Sequence, residues 1–287
     1  MGEVLYGSYD RDALDVQYNN RERVSDYMDY FDKWKSTSEK TRRQLDCRIN
    51  VPFGDSAAET IDIFPAAEAG APVCMFIHGG YWQSLDKADF SFLAEGLVPN
   101  GVTLVVNNYG LCPHVTMDEI TTQNRAAIQW IWTHAADIGV DPNRIHVSGH
   151  SAGGHLVGML MATDWPALGD GAPADLIKSG CAISGLYDME PIRLCYLNAV
   201  LCMGADMSAR NTPLTLDYPV RTPMLITHGG LESDEYHRQT REMTALWERL
   251  DYPVECVIGE GLNHFSLVDE FARPDSDLTR RQLSLIL

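Results

Sequence analysis

The pentapeptide G-H-S-A-G at residues 149–153 carries the side chain best suited to covalent catalysis. It follows the alternating segment 144–148, which is typical of a short strand, and it leads into the apolar run 153–161, which predicts a helix. A strand, a G-x-S-x-G turn and a helix form a nucleophile elbow, a sharp turn that exposes the serine hydroxyl. The alternative is an ordinary glycine-rich turn, which the flanking elements disfavour. Ser151 is therefore the predicted nucleophile.

His264 is the residue best placed to act as a general base. A serine hydroxyl is a weak nucleophile near neutral pH, so it needs a base, and the base needs an acid that orients it. In an elbow protein the histidine comes last in the chain, after the final strand. His264 lies in a glycine-rich loop directly after the apolar segment 254–258, so we predict that it is the base.

Three carboxylates follow the apolar segment 224–226 and are within reach of the base: Glu232, Asp234 and Glu235. A helix is predicted to follow them, and acidic residues are favoured in the first turn of a helix. That position accounts for Asp234 and Glu235. Glu232, which precedes the helix, is therefore the predicted orienting acid, and Asp234 stays open as the alternative.

The sequence H-G-G-Y-W at residues 78–82 is suited to form an oxyanion hole. It ends the apolar run 73–77, which is typical of a buried strand beside the elbow strand. A tetrahedral intermediate carries a negative oxygen that needs preorganised N–H donors, and glycines let the main chain approach it. A plain Gly-Gly turn is the alternative, and the preceding strand and the downstream elbow argue against it. The predicted oxyanion donors are Gly79, Gly80, Tyr81 and Ala152.

Composition and charge exclude several classes of function. The chain has 287 residues, of which 45% are hydrophobic, so it can bury one large core. Its formal net charge of −18 argues against nucleic acid and anionic membranes as partners. No apolar run reaches the roughly eighteen residues that span a bilayer, and the first residues lack a signal-peptide pattern. The expected partner is a small aromatic amide or ester substrate, and a homodimer stays open.

Metal and redox chemistry have no sequence support. Seven cysteines are scattered without C-x-x-C spacing, and no H-E-x-x-H motif is present. We therefore expect neither a metal site nor a cofactor. An odd number of cysteines in a chain without an export signal is interpreted as reduced thiols, several of them in the core. The expected location is the cytoplasm.

Strands alternate with helices along the chain, which predicts an α/β fold with a mainly parallel central sheet flanked by helices. The apolar segments predicted as buried strands are 73–77, 102–106, 144–148, 181–183, 224–226 and 254–258. Two alternating segments, 45–51 and 60–64, are predicted as an antiparallel edge. Helices are expected at about 88–97, 120–138, 153–161 and 236–250.

Residues 1–45 differ from the rest of the chain. Apolar side chains recur there at helical spacing on an otherwise charged helix: Val24, Tyr27, Met28, Phe31 and Trp34. Such a stripe packs against the outside of the domain or forms a lid over an apolar pocket, and both interpretations stay open. The predicted organisation is an N-terminal helical cap at 1–45 and a catalytic domain at 46–287, with an insertion around 185–222.

Several of these stretches resemble α/β-hydrolases of the arylformamidase (kynurenine formamidase) type, within the broader group of hormone-sensitive-lipase-like esterases. The segment 78–82 is similar to the H-G-G-x-W signature of that family, and 145–165 resembles its elbow. Glu232 falls where the family places its acid, usually an aspartate, so the chain departs there by one methylene. Further stretches that resemble the family are 17–20, 184–188 and 232–239. The resemblance covers nearly the whole chain.

The resemblance implies hydrolysis of N-formyl-kynurenine to kynurenine and formate. The residues alone indicate serine-dependent acyl hydrolysis with an aromatic-lined entrance, so a carboxylesterase and a hydrolase of other aryl amides or carbamates are alternatives. The rings expected to stack on an aryl substrate are Trp82, Tyr187, Phe31 and Trp34. A non-catalytic binding protein with the same fold is an alternative of another class. Such proteins usually lose the serine or the histidine, and both are present here.

Overall fold

The central element is an eight-stranded sheet, found within residues 3–169 and 171–287, which the computed structural model describes. The strands are β1 (Arg48–Pro52), β2 (Thr60–Phe64), β3 (Ala71–Ile77), β4 (Thr103–Asn107), β5 (Val140–His150), β6 (Ile177–Ile183), β7 (Met224–Gly229) and β8 (Val254–Gly259). Their order across the sheet is β1-β2-β4-β3-β5-β6-β7-β8. β2 runs antiparallel to β1 and β4, and the other neighbours are parallel. The predicted mainly parallel sheet is confirmed.

Helices precede the sheet and connect its strands. They are α1 (Arg11–Tyr18), α2 (Asn20–Arg23), α3 (Tyr27–Gln44), α4 (Ala94–Leu97), α5 (Met117–Thr133), α6 (Ala135–Ile138), α7 (Ala152–Met161), α8 (Glu190–Leu194), α9 (Asn198–Leu201), α10 (Ala205–Arg210), α11 (Asp234–Arg249), α12 (Ser266–Glu270) and α13 (Asp277–Ile286). Short 3₁₀ helices lie at Lys87–Leu93, Val98–Asn100, Pro166–Leu168 and Pro213–Thr215. None of the helices in the described ranges is long and apolar enough to cross a membrane.

The sheet separates two hydrophobic cores. On β3, Val73 and Met75 belong to one core, and Cys74 and Phe76 to the other. A strand covered on both faces must be apolar at every position, which explains the continuous apolar run. Side chains of α5, α7 and α11 fill the first core, and those of α3, the 3₁₀ helix Lys87–Leu93 and α13 fill the second. The fold is therefore a three-layer α/β/α arrangement.

The strand order changes direction at β3. The chain goes from β3 to β4 on one side and then returns to β5 on the other side. At such a switch point the connections diverge and leave a crevice at the carboxyl ends of the strands. The segment 78–82 follows β3 and Ser151 follows β5. The two predicted motifs therefore meet at this crevice.

The segment 88–97 was predicted as one helix and instead forms a 3₁₀ helix followed by α4. Side chains of α3 explain the difference. Arg42 Nη1 donates to the Ala88 carbonyl at 2.5 Å, and the Phe92 N–H donates to Ser38 Oγ at 3.2 Å. These contacts replace the Phe92-to-Ala88 bond that an α-helix would make. Likewise, the helix predicted at 120–138 is interrupted at residue 134, and it ends at Gly139, as predicted.

The N-terminal helices pack against different parts of the sheet layers. α1 contacts α8 and α11, whereas α3 lies along the 3₁₀ helix Lys87–Leu93. Trp34 is buried, and its ring centroid lies 5.3 Å from that of Phe90. Met28, on the predicted apolar stripe, is 50% exposed, and Val24 precedes α3. Met28 is thus the one member of the stripe that is exposed, since Val24 and Trp34 lie in the second core and Tyr27 and Phe31 pack against it.

A buried ion pair joins the edge of the sheet to the 3₁₀ helix. Lys87 Nζ lies 2.6 Å from Asp62 Oδ1, and both side chains are at most 3% exposed. The Lys87 ammonium also donates to Asn50 Oδ1 at 2.7 Å, and the Asn50 N–H donates to Asp62 at 2.8 Å. These bonds compensate the cost of taking both charges out of water.

We predict that Lys87→Met destabilises the protein by about 3–5 kcal/mol, because it leaves the buried Asp62 charge without its cation. Urea unfolding followed by circular dichroism measures this loss. The matched control is Lys178→Met, which removes a more exposed ion pair with Asp175 and should cost less than about 1 kcal/mol. Equal losses in the two variants would contradict the prediction.

Candidate active site

Ser151 occupies a strained turn between β5 and α7. Its backbone has φ 57° and ψ −117°, and its N–H donates to the Ile183 carbonyl at 2.8 Å. A side chain at Gly153 would place Cβ 2.0 Å from the Ile77 carbonyl oxygen. At Gly149, Cβ would lie 2.3 Å from the Gly153 oxygen. Glycine is thus required on both sides of Ser151, because the strands and helix nearly touch there.

His264 is held by a buried carboxylate. Its Nδ1 lies 2.5 Å from Glu232 Oε1, and both residues are almost fully buried. Glu232 follows β7, and its Oε2 accepts a hydrogen bond from the Gly229 N–H at 3.2 Å. A carboxylate accepts, so Nδ1 carries the proton and Nε2 is left as the lone-pair nitrogen of a neutral ring. That tautomer is the one a general base needs.

Asp234, the alternative acid, lies elsewhere. It is exposed in the first turn of α11, as expected for a residue that favours a helix start. Glu235 accepts from Tyr18 and pairs with Arg238. Of the three carboxylates considered, Glu232 is the one that contacts His264.

Ser151 and His264 line one small cavity. It has about 30 Å³ accessible to water-sized molecules, and its remaining walls come from Asn20, Arg21, Phe31, Trp34, Gly80, Tyr81, Leu85, His150 and Phe265. The structure therefore brings together the predicted nucleophile, the predicted base and two of the predicted aromatic residues. The cavity is closed on one side by residues that lie more than a hundred positions earlier in the chain.

The loop after β3 has an unusual backbone. Gly80, Tyr81 and Trp82 all have positive φ, at 103°, 50° and 57°. A Cβ at Gly79 would lie 3.0 Å from Ser151 Cβ, so the loop lies directly against the serine. In the described part of the chain, the N–H groups of Tyr81 and Ala152 donate to no other protein group. Such unused donors beside a serine are what an oxyanion requires.

Three hydrogen bonds hold the Tyr81 hydroxyl in position. Its hydroxyl donates to the Tyr18 carbonyl oxygen at 2.6 Å and accepts from Asn20 Nδ2 at 3.1 Å. The Tyr236 hydroxyl, 2.8 Å away, shares a hydrogen bond with it, and the Tyr236 ring centroid lies 4.9 Å from that of His264. Burial raises the pKa of Tyr236, so its hydroxyl stays protonated. Tyr236 thereby connects the oxyanion loop to the base.

His150 supports the base from the elbow itself. Its Nε2 donates to the His264 carbonyl oxygen at 2.8 Å, and the two ring centroids are 4.6 Å apart. Burial, and next the nearby His264 ring, hold the pKa of His150 well below its usual range. His150 is therefore a neutral hydrogen-bond donor that positions the main chain of His264.

Trp82 and Tyr187 do not line this cavity, contrary to expectation. Both are fully buried, in the core on the α5–α7–α11 face of the sheet. Trp82 packs edge-on against His155, with ring centroids 5.0 Å apart. Phe31 and Trp34 belong instead to the opposite core and reach the cavity.

Sequence reasoning missed six residues of the site: Asn20, Arg21, Leu85, His150, Tyr236 and Phe265. Tyr236 has the spacing of an ordinary apolar helix position, and His150 is the variable residue of the elbow motif. Their roles depend on contacts between distant segments, so no local signal marks them.

Within the described ranges, no group of three or more His, Cys, Asp or Glu residues is arranged to hold a metal ion.

Comparisons with known proteins agree with this geometry. Residues 61–166 match the BD-FAE family. Kynurenine formamidase of Danio rerio is 28% identical, over 97% of this chain and 97% of its own length. Kynurenine formamidase of Drosophila melanogaster is 25% identical over 84% of this chain and 82% of its length. Esterase LipQ of Mycobacterium tuberculosis is 31% identical over 52% of this chain and 37% of its length.

Solved structures show the same fold. A proposed thioesterase from Silicibacter sp. TM1040 superposes with a TM-score of 0.84 and 29% identity, covering 95% of this chain and 98% of that one. The carboxylesterase EstE1 has a TM-score of 0.66 and 17% identity, covering 90% and 94%. The predicted α/β-hydrolase fold, the hydrolase class and the resemblance to arylformamidases and esterases are confirmed.

We predict that Glu232→Gln lowers kcat by about ten-thousandfold, because an amide opposite Nδ1 favours the wrong tautomer of His264. Steady-state hydrolysis of p-nitrophenyl acetate measures the effect. The control is Asp234→Asn, which changes an exposed helix-start carboxylate and should retain activity close to wild type. An inactive Asp234→Asn with an active Glu232→Gln would reverse the assignment.

Proposed function

We propose that this α/β-hydrolase is a serine hydrolase that removes a formyl group from an aryl formamide, with N-formyl-kynurenine as the substrate and kynurenine and formate as products. The observation that carries the proposal is the small cavity shared by Ser151 and His264. It has room beside the serine for a small acyl group, and formyl is the smallest. The similarity to kynurenine formamidases over nearly the whole chain supports the same substrate.

In the proposed mechanism, Ser151 Oγ attacks the formyl carbon while His264 Nε2 takes the hydroxyl proton. Glu232, on Nδ1, orients the ring and stabilises the imidazolium. The N–H groups of Gly80, Tyr81 and Ala152, with Gly79 shaping the loop, stabilise the oxyanion. His264 then gives the proton to the departing arylamine. Water, activated by the same base, hydrolyses the formyl ester and releases formate.

The N-terminal segment is proposed to act as a cap on this site. Asn20, Arg21, Phe31 and Trp34 form one wall of the cavity, which supports a role beyond outer packing. Phe31 is half-buried and contacts Phe265 edge-on at 5.5 Å between ring centroids. A flat aryl group entering beside Ser151 would contact these rings, so the cap contributes orientation and excludes water. Residues 46–287 are proposed as the catalytic domain, with residues 185–222 inserted between β6 and β7.

A carboxylesterase is the second candidate function. The partial similarity to Esterase LipQ favours it, and the same residues would cleave an ester.

A cytoplasmic location is also part of the proposal. All seven cysteines are free and four are buried, as expected in a reducing compartment.

The test of the proposal is a substrate panel. We expect kcat/KM for N-formyl-kynurenine to exceed that for p-nitrophenyl acetate, acetanilide and a phenyl carbamate, with formate and kynurenine released in equal amounts. Ser151→Ala should lower kcat about a millionfold while the protein keeps its melting temperature. Rapid ester hydrolysis without formamide hydrolysis would select the carboxylesterase. A folded wild type that hydrolyses nothing would indicate the non-catalytic alternative.

We predict that Phe31→Ala raises KM for aryl formamides several-fold and leaves hydrolysis of ethyl acetate, which has no ring, nearly unchanged. The control is Met28→Ala, one turn earlier on α3, whose side chain is half exposed and does not line the cavity. Thermal melts accompany both assays. Unchanged KM for aryl formamides, or a joint loss of stability and of both activities, would contradict the cap role.

A further inference from the structure

The cavity beside Ser151 has one permanently charged wall residue. Of the residues that line it, all within the described ranges, only Arg21 is a lysine, arginine, aspartate or glutamate. Arg21 is also exposed, so it lies where the cavity meets solvent. The rest of the wall is aromatic, aliphatic or neutral polar. A charge at this position is therefore available to a molecule that enters the cavity.

Two aromatic rings hold the Arg21 guanidinium in place. Its central carbon lies 5.6 Å from the ring centroid of Tyr27 and 5.6 Å from that of Phe31. Nη2 is 3.4 Å from Ser84 Oγ. Ring faces attract a guanidinium without using its N–H donors. The guanidinium is thus oriented, while most of its N–H donors stay available for a ligand.

No carboxylate among the described residues lies within 4.0 Å of Arg21, although the chain has 40 acidic residues. Several other arginines, such as Arg193 and Arg281, are paired. The net charge of −18 repels anions from the surface as a whole. An anionic substrate would therefore need a local cation at the entrance, and Arg21 supplies one.

We propose that Arg21 forms a carboxylate-binding subsite at the entrance of the cavity, which receives the amino-acid carboxylate of the proposed substrate. A planar guanidinium binds a carboxylate through two parallel N–H···O bonds, which fixes orientation as well as position. The inference rests on the proposed function in that Ser151 is the nucleophile. It separates an aryl amide that bears a carboxylate from esters that bear none.

The test compares substrates that differ in the carboxylate. One pair is N-formyl-kynurenine and 2′-formamidoacetophenone, which lacks both the α-carboxylate and the α-ammonium group. The other pair is 4-acetoxybenzoate and its methyl ester. The variants are Arg21→Met, which keeps the aliphatic part of the side chain, and Arg21→Lys, which keeps the charge without the planar guanidinium. Arg23→Met is the matched control, since Arg23 is exposed on the same short helix and does not line the cavity.

We expect Arg21→Met to raise KM about 10- to 100-fold for the carboxylate member of each pair and to leave the neutral member and kcat unchanged. Arg21→Lys should recover part of the affinity, and Arg23→Met should match wild type. Added NaCl should raise KM for the carboxylate substrates in wild type and not in Arg21→Met.

Equal losses on the charged and neutral members would assign Arg21 a structural role and overturn the proposal, as would no change on either. Failure of the proposed function has a different signature, because formamides would then be inert while the ester pair still reports on the carboxylate. If wild type cleaved neither pair, calorimetric binding of N-formyl-kynurenine and its neutral analogue would make the same comparison. Equal binding of the two compounds would then refute the subsite.

Discussion

The close approach of β3, β5 and α7 is the constraint on which the site depends. A Cβ at Gly153 would lie 2.0 Å from the Ile77 oxygen and 2.9 Å from the His78 oxygen. The start of α7 therefore lies directly on the end of β3, and Ser151 lies beside the loop that follows β3. The positive φ of Ser151 costs about 1–3 kcal/mol in such a turn. The surrounding sheet maintains it, since the serine N–H bonds to the end of β6.

A second set of contacts joins the N-terminal helices to the rest of the site. The Tyr18 hydroxyl donates to Glu235 Oε2 at 2.7 Å and accepts from Gln239 Nε2 at 2.9 Å. Arg238 pairs with Glu235 at 2.8 Å. These buried bonds attach the N-terminal helices to α11, which begins two residues after Glu232. One helix thus positions both the cavity wall and the loop that carries the acid, so the N-terminal segment and the sheet form one site.

Buried histidines near the elbow and the oxyanion loop add no charge. His78, His150 and His155 each bond to a backbone carbonyl at 2.8 Å. Burial lowers the pKa of each, to about 4 for His155. At neutral pH they are therefore uncharged rings that position the main chain. The fixed positive charge of the cavity wall comes from Arg21.

The sequence by itself determined what local geometry controls. Strand periodicity predicted the sheet, and the G-x-S-x-G and H-G-G motifs marked the ends of β5 and β3, because a tight turn admits few residue types. Chain order narrowed the partner of His264 to the carboxylates after β7. Only the tertiary structure decided that Glu232 contacts it, that Trp82 and Tyr187 pack away from the cavity, and that Arg21, Phe31 and Tyr236 lie around Ser151. These facts depend on contacts between segments that are far apart in the chain, and residues close together in the chain carry no information about such contacts.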